Sequence, residues 1–150
     1  VRISALAPFL AEPWALQARA AAQQWAAGGQ APDVEAYIAS SFAAARERGP
    51  LYPVYYAEEA EFLAALGQRA EAEAVLAAGF AVDPASPRLW AARLAVAPED
   101  DRASVARAWA PYCTYGWQRW PAMARRLAEA LPPRGASKEA AAYAACRGPA

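Results

Sequence analysis

The sequence predicts an all-α protein, and three observations carry that prediction. Alanine, the residue with the highest helix propensity, makes up close to a third of the 150 residues. The β-branched residues that favour strands are scarce, and no convincing run alternates apolar and polar side chains. Glycine and proline divide the chain into eight stretches with helical spacing. We expect about eight helices, stacked as antiparallel hairpins in one domain over residues 1–150.

The first two helices are bounded by glycine and proline. The first is expected to run from about Pro13 to Ala27, after an N-terminal stub of residues 1–12. Gly28 and Gly29 follow it, and glycine suits a left-handed helix stop. The second is expected from Pro32 to Arg48, because proline is tolerated in the first turn of a helix.

The next two helices form the clearest hairpin. The third is expected from Pro53 to Gly67, with an aromatic stripe and with Glu58, Glu59 and Glu61 mostly beside that stripe. The fourth is expected from Arg69 to Val82, where Asp83-Pro84 stops it.

The last four helices follow from capping residues and prolines. Ser86 is the expected N-cap of the fifth helix, which ends before Pro98. Asp100 and Asp101 are expected to cap the sixth, and Pro111 to end or kink it. We expect a seventh helix over 117–131, a short eighth over 137–146, and a flexible tail over 147–150.

A proline-aromatic pattern recurs at a fixed interval. Pro50, Pro53 and Tyr56 return 34 positions later as Pro84, Pro87 and Trp90, with no gap between the two segments. A period of 34 residues is that of the tetratricopeptide helical hairpin. The pattern predicts that Tyr56 and Trp90 occupy equivalent places in adjoining hairpins.

Residues 53–86 resemble one tetratricopeptide repeat. The resemblance rests on Tyr56, Ala60 and Leu63 in the first helix, Gly67 at the turn, Ala72 in the second helix, and Val82-Asp83-Pro84 at its end. It implies a right-handed α-solenoid, in which small residues at 60 and 72 let two helices cross closely. The unit from Pro87 starts well with Trp90 and then drifts, and the preceding hairpin is out of register.

Two residues depart from the pattern of that family. Glu59 stands where the family prefers leucine, and Gly79 stands where it prefers alanine. A glycine inside a helix costs about 1 kcal/mol relative to alanine. The chain is therefore tetratricopeptide-like and not a consensus array.

A fainter resemblance concerns the soluble helical tails of bacterial O-antigen ligases and polymerases. Arg48-Gly49-Pro50-Leu51-Tyr52-Pro53 and the alanine-rich segment 66–76 carry it. It implies an extracytoplasmic position behind transmembrane helices, in which case Val1 follows a membrane segment. A cleaved leader or a fragment are the alternatives for a chain that begins with valine.

Composition narrows the chemistry. There is no histidine, so the usual general base, metal ligand and pH switch are missing from the sequence. No metal and no cofactor are expected, and no apolar stretch is long enough to span a membrane. Residues 1–83 hold ten acidic and five basic residues, a net charge of −5, and residues 84–150 hold the reverse, +5. The basic residues are spaced out, which argues against a nucleic-acid groove.

Glu58, Glu61 and Arg88 are candidate partner-binding residues. In the repeat, Glu61, Arg88 and Ala57 map to positions that face the concave groove, where a bound peptide meets polar side chains. Glycosidases need two carboxylates across a cleft, whereas Glu58, Glu59 and Glu61 lie within one helical turn. A solvated or salt-bridged helix face is the simpler interpretation of these three acids.

A second candidate surface is the aromatic run that includes Tyr112, with Tyr115, Trp117, Arg119 and Trp120. Tryptophan, tyrosine and arginine dominate binding hot spots, so this run could stack on a sugar or hold a partner. The alternative is that the tryptophans close the open end of the stack.

Cys113 and Cys146 are candidates for a disulfide bond. The bond would close a loop of about 34 residues and stabilise the fold by roughly 3–4 kcal/mol. It would also imply an oxidising compartment, which slightly favours a periplasmic location. The alternative is two buried thiols.

The sequence thus predicts a non-catalytic scaffold that binds a protein or peptide, or braces a protein complex, through its concave face. The alternative is the extracytoplasmic domain of a membrane glycan ligase or polymerase. An enzyme in its own right is the least favoured of the three.

Overall fold

The computed structural model describes residues 7–112 and 121–130, and over these residues the fold is all-α, as predicted. They form seven α-helices and no strand. Short 3-10 turns at Glu99–Asp101 and Ala110–Tyr112 flank α6. The helices are α1 Ala7–Ala26, α2 Pro32–Arg48, α3 Pro53–Ala65, α4 Arg69–Val82, α5 Pro87–Val96, α6 Arg102–Trp109 and α7 Pro121–Glu129.

The first hairpin pairs α1 with α2 in antiparallel fashion. Trp25 near the end of α1 donates a hydrogen bond to Glu35 near the start of α2. At the other end, the Arg48 guanidinium lies 4.5 Å from the centre of the Trp14 ring. The expected stub is wrong in part, because α1 begins at Ala7 and carries Pro13 inside it. Ala11 and Ala15 are fully buried on either side of that proline, so packing holds the helix through it.

The second hairpin turns at Gly67, as predicted. Gly67 has φ +78°, a left-handed conformation that glycine adopts without strain. Its N–H bonds to the carbonyl of Ala64, and the N–H of Gln68 bonds to that of Leu63, which closes the end of α3. Ala60 and Ala72 are both fully buried in one cluster, which confirms their predicted role at the helix crossing.

The 34-residue repeat has a structural counterpart. The Tyr56 hydroxyl donates a 2.8 Å hydrogen bond to the carbonyl of Pro50, six residues before it. The Trp90 indole donates a 2.8 Å hydrogen bond to the carbonyl of Pro84, again six residues before it. Tyr56 and Trp90 therefore make the same bond at the entry to α3 and at the entry to α5, which agrees with the predicted likeness of the two local segments.

Capping of the later helices agrees only in part with expectation. The Ser86 side chain accepts a hydrogen bond from the N–H of Leu89, which confirms it as the N-cap of α5. Asp101 precedes α6 without a side-chain cap bond, and its carboxylate lies 3.7 Å from Arg69 instead. Of the expected seventh helix, 121–129 is helical. The eighth helix and the flexible tail lie outside the described residues.

The core is a series of apolar clusters at successive helix junctions. Tyr55 packs with Ala11, Ala15 and Ala45, joining the first hairpin to α3. Phe62 joins the same two parts through Ala18, Ile38 and Phe42. Tyr56 and Leu63 face the opposite way, into a cluster shared by α3, α4 and α5. Trp90 and Trp109 then tie α5 and α6 to Leu127 of α7.

Glu59 does not lie beside the aromatic stripe, as the sequence suggested, but within it. Only 6% of the residue is exposed, and both carboxylate oxygens accept hydrogen bonds from the Arg46 guanidinium. That guanidinium also lies 5.7 Å from the centre of the Tyr56 ring. The acid is tolerated in place of leucine because α2 supplies its counter-charge.

Gly79 lies where α4 approaches both α3 and α5 closely. A Cβ atom at this position would lie 2.8 Å from Leu89 Cδ2 and 2.9 Å from Tyr56 Cβ. The Tyr56 Cβ is fixed to the backbone of α3, so it cannot move aside easily. Gly79 lowers the helix propensity of α4, but its lack of a side chain allows α3, α4 and α5 to pack closely.

We expect Gly79→Ala to destabilise the protein by about 1–3 kcal/mol, since overpacking outweighs the gain in helix propensity. The free energy of unfolding from urea titration measures this. Ala78→Gly on the exposed neighbouring position is the control, and it should cost about 1 kcal/mol through propensity alone. A Gly79→Ala protein as stable as wild type would show that the helices have room to separate.

We expect Tyr56→Phe to lower the free energy of unfolding by about 1 kcal/mol, because the Pro50 carbonyl loses its hydrogen-bond donor. Tyr37→Phe is the matched control, since Tyr37 is half exposed and the bond that its hydroxyl donates to Gln17 is long, at 3.4 Å. Equal stability of the Tyr56→Phe and Tyr37→Phe proteins would contradict the role of the bond.

Candidate functional site

An open groove of about 500 Å³ runs across one face of the helix pack. Three helices, α1, α3 and α5, line it, and α2 adds Phe42. The side chains come from α1 (Arg19, Ala22, Gln23, Trp25, Ala26), from α3 (Glu58, Glu61, Phe62, Ala65) and from α5 (Arg88). We call the charged side chains of this lining the charged wall and its aromatic side chains, with the alanines, the apolar wall.

Arg19 ties α1 to α3 at one end of the charged wall. Its Nε and Nη2 donate to the two carboxylate oxygens of Glu58 at 2.7 and 2.6 Å. Its Nη1 donates to Glu12 at 2.7 Å, and the Tyr55 hydroxyl donates to the other oxygen of Glu12 at 2.8 Å. The hydrogen bonds that Arg19 donates to Glu58 are the main cause of the raised pKa of Arg19. Hydrogen bonds from Arg19 and Tyr55 lower the pKa of Glu12.

Arg88 and Glu61 form the second ion pair of this wall, between α5 and α3. Arg88 Nη2 donates to Glu61 Oε2 at 2.9 Å, and Nη1 donates to Oε1. Both side chains are 36% exposed, whereas that of Glu58 is 11% exposed. The Glu61–Arg88 pair is therefore the more accessible of the two to a bound molecule.

The two ion pairs line the same groove and influence each other. The hydrogen bonds that Arg88 donates to Glu61 are the largest cause of the raised pKa of Arg88; the charge of Glu58 also raises this pKa, and the charge of Arg19 lowers it. Arg19, Glu58, Arg88 and Glu61 thus bring two positive and two negative charges together from three helices. We call these four residues the charged row.

The apolar wall is aromatic. The Trp25 and Phe62 rings meet edge to face with their centres 5.4 Å apart, and Phe42 lies 5.8 Å from Phe62. The Trp25 indole N–H donates to Glu35 at 3.0 Å, which fixes the ring orientation. Ala22, Ala26 and Ala65 leave the space beside these rings open.

The structure brings together Glu58, Glu61 and Arg88, three of the predicted site residues. The salt-bridged interpretation of the three glutamates is also confirmed, since each binds an arginine. Ala57, however, was wrongly assigned to the groove, because it is fully buried between the helices. Tyr112 packs 5.6 Å from Trp90. Cys113, Tyr115, Trp117, Arg119, Trp120 and Cys146 lie outside the described residues.

Sequence reasoning missed Arg19, Gln23 and the groove role of Trp25. Arg19 had a signal that could have been used: it is the only charged residue between Pro13 and Ala27. In the predicted helix 13–27 it had no partner of opposite charge; the structure supplies Glu58 from α3 and also Glu12, which α1 includes because it begins at Ala7. Which helix supplies that partner depends on how the hairpins pack.

Two further features of residues 7–112 and 121–130 concern metal binding and the membrane. In this part of the chain, no group of three histidine, cysteine, aspartate or glutamate residues is placed to hold a metal ion. Within the same ranges, no helix has the length and apolar character that crossing a bilayer requires.

Comparison with known proteins finds no match to the chain among protein-family models, curated proteins or solved structures. The resemblances to tetratricopeptide repeats and to ligase tails therefore stay predictions. The geometry of the groove carries the functional argument by itself.

Tyr55 gives the network beside the groove a distinct pH dependence. Burial, with the hydrogen bond to Glu12, raises the pKa of Tyr55 to about 12 from an ordinary value of 10.0. Because the pKa of Tyr55 is higher in the folded state than in the unfolded state, the neutral phenol stabilises the folded protein. This contribution to the free energy of unfolding is complete below pH 10 and is lost as the pH rises toward 12. We expect the free energy of unfolding to fall over this interval, and less steeply in Tyr55→Phe.

The measurement is denaturant unfolding at several pH values, with tyrosinate absorbance followed in parallel. Tyr37→Phe serves as the control and should keep the wild-type slope. An unchanged slope in Tyr55→Phe would show that the phenol ionises freely in the folded protein.

Proposed function

We propose that this protein is a non-catalytic binding module whose groove receives a short peptide segment of a partner protein. The observation that carries the proposal is that three helices, α1, α3 and α5, all present side chains to one open groove. Such a surface extends across the stack, as a recognition surface for an extended ligand requires.

The lining suits a peptide because it is amphipathic. Trp25 and Phe62 offer an apolar surface for a side chain, while Gln23 and the charged row can meet backbone N–H and C=O groups. The volume of about 500 Å³ falls within the range of specific ligand sites in proteins. A segment of a few residues would fill it.

The charged row also favours recognition because it holds the groove in shape. Glu58 links α3 to α1 and Glu61 links α3 to α5, each through both carboxylate oxygens. A groove held in this way loses little conformational freedom when a ligand enters, which lowers the cost of binding.

The positions of the acidic side chains in the groove support a binding function over a catalytic one. Glu58 and Glu61 are the two acids that line the groove, and both stand on α3. A glycosidase needs its two acids on opposite sides of the scissile bond. Each of these carboxylates is instead a partner of an arginine within the wall.

The proposal is tested by blocking the groove. Peptides selected from a random display library against the full chain would be measured by calorimetry against wild type and Ala65→Trp. Ala65 is exposed and lines the groove, so a tryptophan there should fill it and weaken binding about tenfold or more.

Ala77→Trp is the matched control, because Ala77 is exposed on α4, away from the groove lining. Its affinity for the same peptides should equal that of wild type. Selected peptides that bind Ala65→Trp as tightly as Ala77→Trp would place the binding surface elsewhere and contradict the proposal.

A further inference from the structure

The ion-pair network beside the groove holds one more carboxylate than guanidiniums, because Glu12, which lies outside the groove lining, shares Arg19 with Glu58. Glu12, Glu58 and Glu61 share two arginines, Arg19 and Arg88. This network therefore carries a net charge of −1 when the groove is empty. A ligand that supplies one positive charge would complete it.

The position for that charge is at Glu61. Arg19 already donates to both Glu12 and Glu58, so its donors are committed inside the protein. Glu61 is bound to Arg88 alone among the described residues, and more than a third of its side chain is exposed. Its carboxylate has lone pairs left for a second cationic donor.

The aromatic wall adds a second attraction for a cation. Trp25 lines the groove together with Glu58 and Glu61, and its indole N–H is turned to Glu35. A tryptophan face attracts a guanidinium or an ammonium group through its ring quadrupole. Carboxylates and a tryptophan ring in one groove form a surface that recognises a basic side chain with an apolar stem.

We propose that the peptide received by the groove carries an arginine or lysine next to an apolar residue. The basic side chain contacts Glu61 and the Trp25 face, and the apolar side chain packs beside Phe62 and Ala65. This inference rests on the proposed function and adds the chemistry of the ligand. The distribution of charge along the chain also favours a basic ligand, since all the groove-lining residues except Arg88 belong to the half of the sequence with net charge −5.

The experiment uses three series of labelled octapeptides and the full chain, with affinity measured by fluorescence polarisation. A central leucine or tryptophan is followed by arginine in one series, by glutamine in the second and by glutamate in the third. We expect the arginine series to bind about threefold to tenfold more tightly than the glutamine series, and the glutamate series to bind most weakly. The preference should shrink as salt is added.

Two variants separate the charge of Glu61 from the loss of its ion pair. Glu61→Gln and Arg88→Gln both break the Glu61–Arg88 pair, so a purely structural effect would shift affinity in the same direction in both. If the ligand is cationic, Glu61→Gln should weaken binding of the arginine series about threefold to tenfold, and Arg88→Gln should strengthen it. Glu71→Gln, exposed on α4, is the control with the same chemical change.

The outcomes distinguish the two proposals. Equal affinity for the three series, or a shift of the same sign in Glu61→Gln and Arg88→Gln, would overturn the basic ligand and leave a peptide groove without charge selection. A preference for the glutamate series would overturn it in favour of an acidic ligand. Binding of no series, together with no selected peptide from the display library, would overturn the peptide groove itself.

Discussion

The packing of α3 between the first hairpin on one side and α4 and α5 on the other is the constraint on which the rest of the structure depends. Tyr55 and Phe62 of this helix pack against the first hairpin, while Tyr56 and Leu63 pack against α4 and α5. Between these two apolar faces, Glu59 enters the core with Arg46 as its partner. The remaining face carries Glu58 and Glu61 to the groove. Helix α3 therefore sets the distance between the first hairpin and α4 and α5, and it also contributes Glu58 and Glu61 to the candidate site.

Both small residues and ion pairs stabilise the packing of α3 against its neighbouring helices. Ala60, Ala72 and Gly79 let helices approach closely around α3, since larger side chains would hold them apart. Alanine offers little apolar area, however, and α1 meets α3 through alanines, the ring of Tyr55 and the contact between the Trp25 and Phe62 rings. Arg19 supplements that contact with bonds to Glu58 and Glu12. The chain thus combines an alanine-rich interior with ion pairs between helices. The groove lies where two of these ion pairs, Arg19–Glu58 and Arg88–Glu61, adjoin the apolar wall.

Part of this arrangement could be predicted from the sequence because it depends on local chemistry. Alanine content and glycine-proline punctuation predict helices, and Gly67 predicts the turn between α3 and α4. The 34-residue interval predicts that Tyr56 and Trp90 are equivalent, and both bond to a proline carbonyl six residues earlier. The same alignment placed Glu61 and Arg88 in a groove, because a repeat fixes which positions face the concave side. Its failure at Ala57, one turn of helix away from Glu61, shows that the repeat was too degenerate to assign every position.

By itself the sequence determined the helices, most of their ends and the repeat, since these follow from propensity and spacing over short distances. Only the tertiary structure decided how the charges pair, because Arg19 with Glu58, Arg46 with Glu59 and Arg88 with Glu61 each join different helices. It also decided that Pro13 lies inside α1 and that Gly79 is required, since both depend on buried neighbours far along the chain. Residues that are distant in sequence come into contact only when the helices pack, and local helix propensity does not predict how the helices pack.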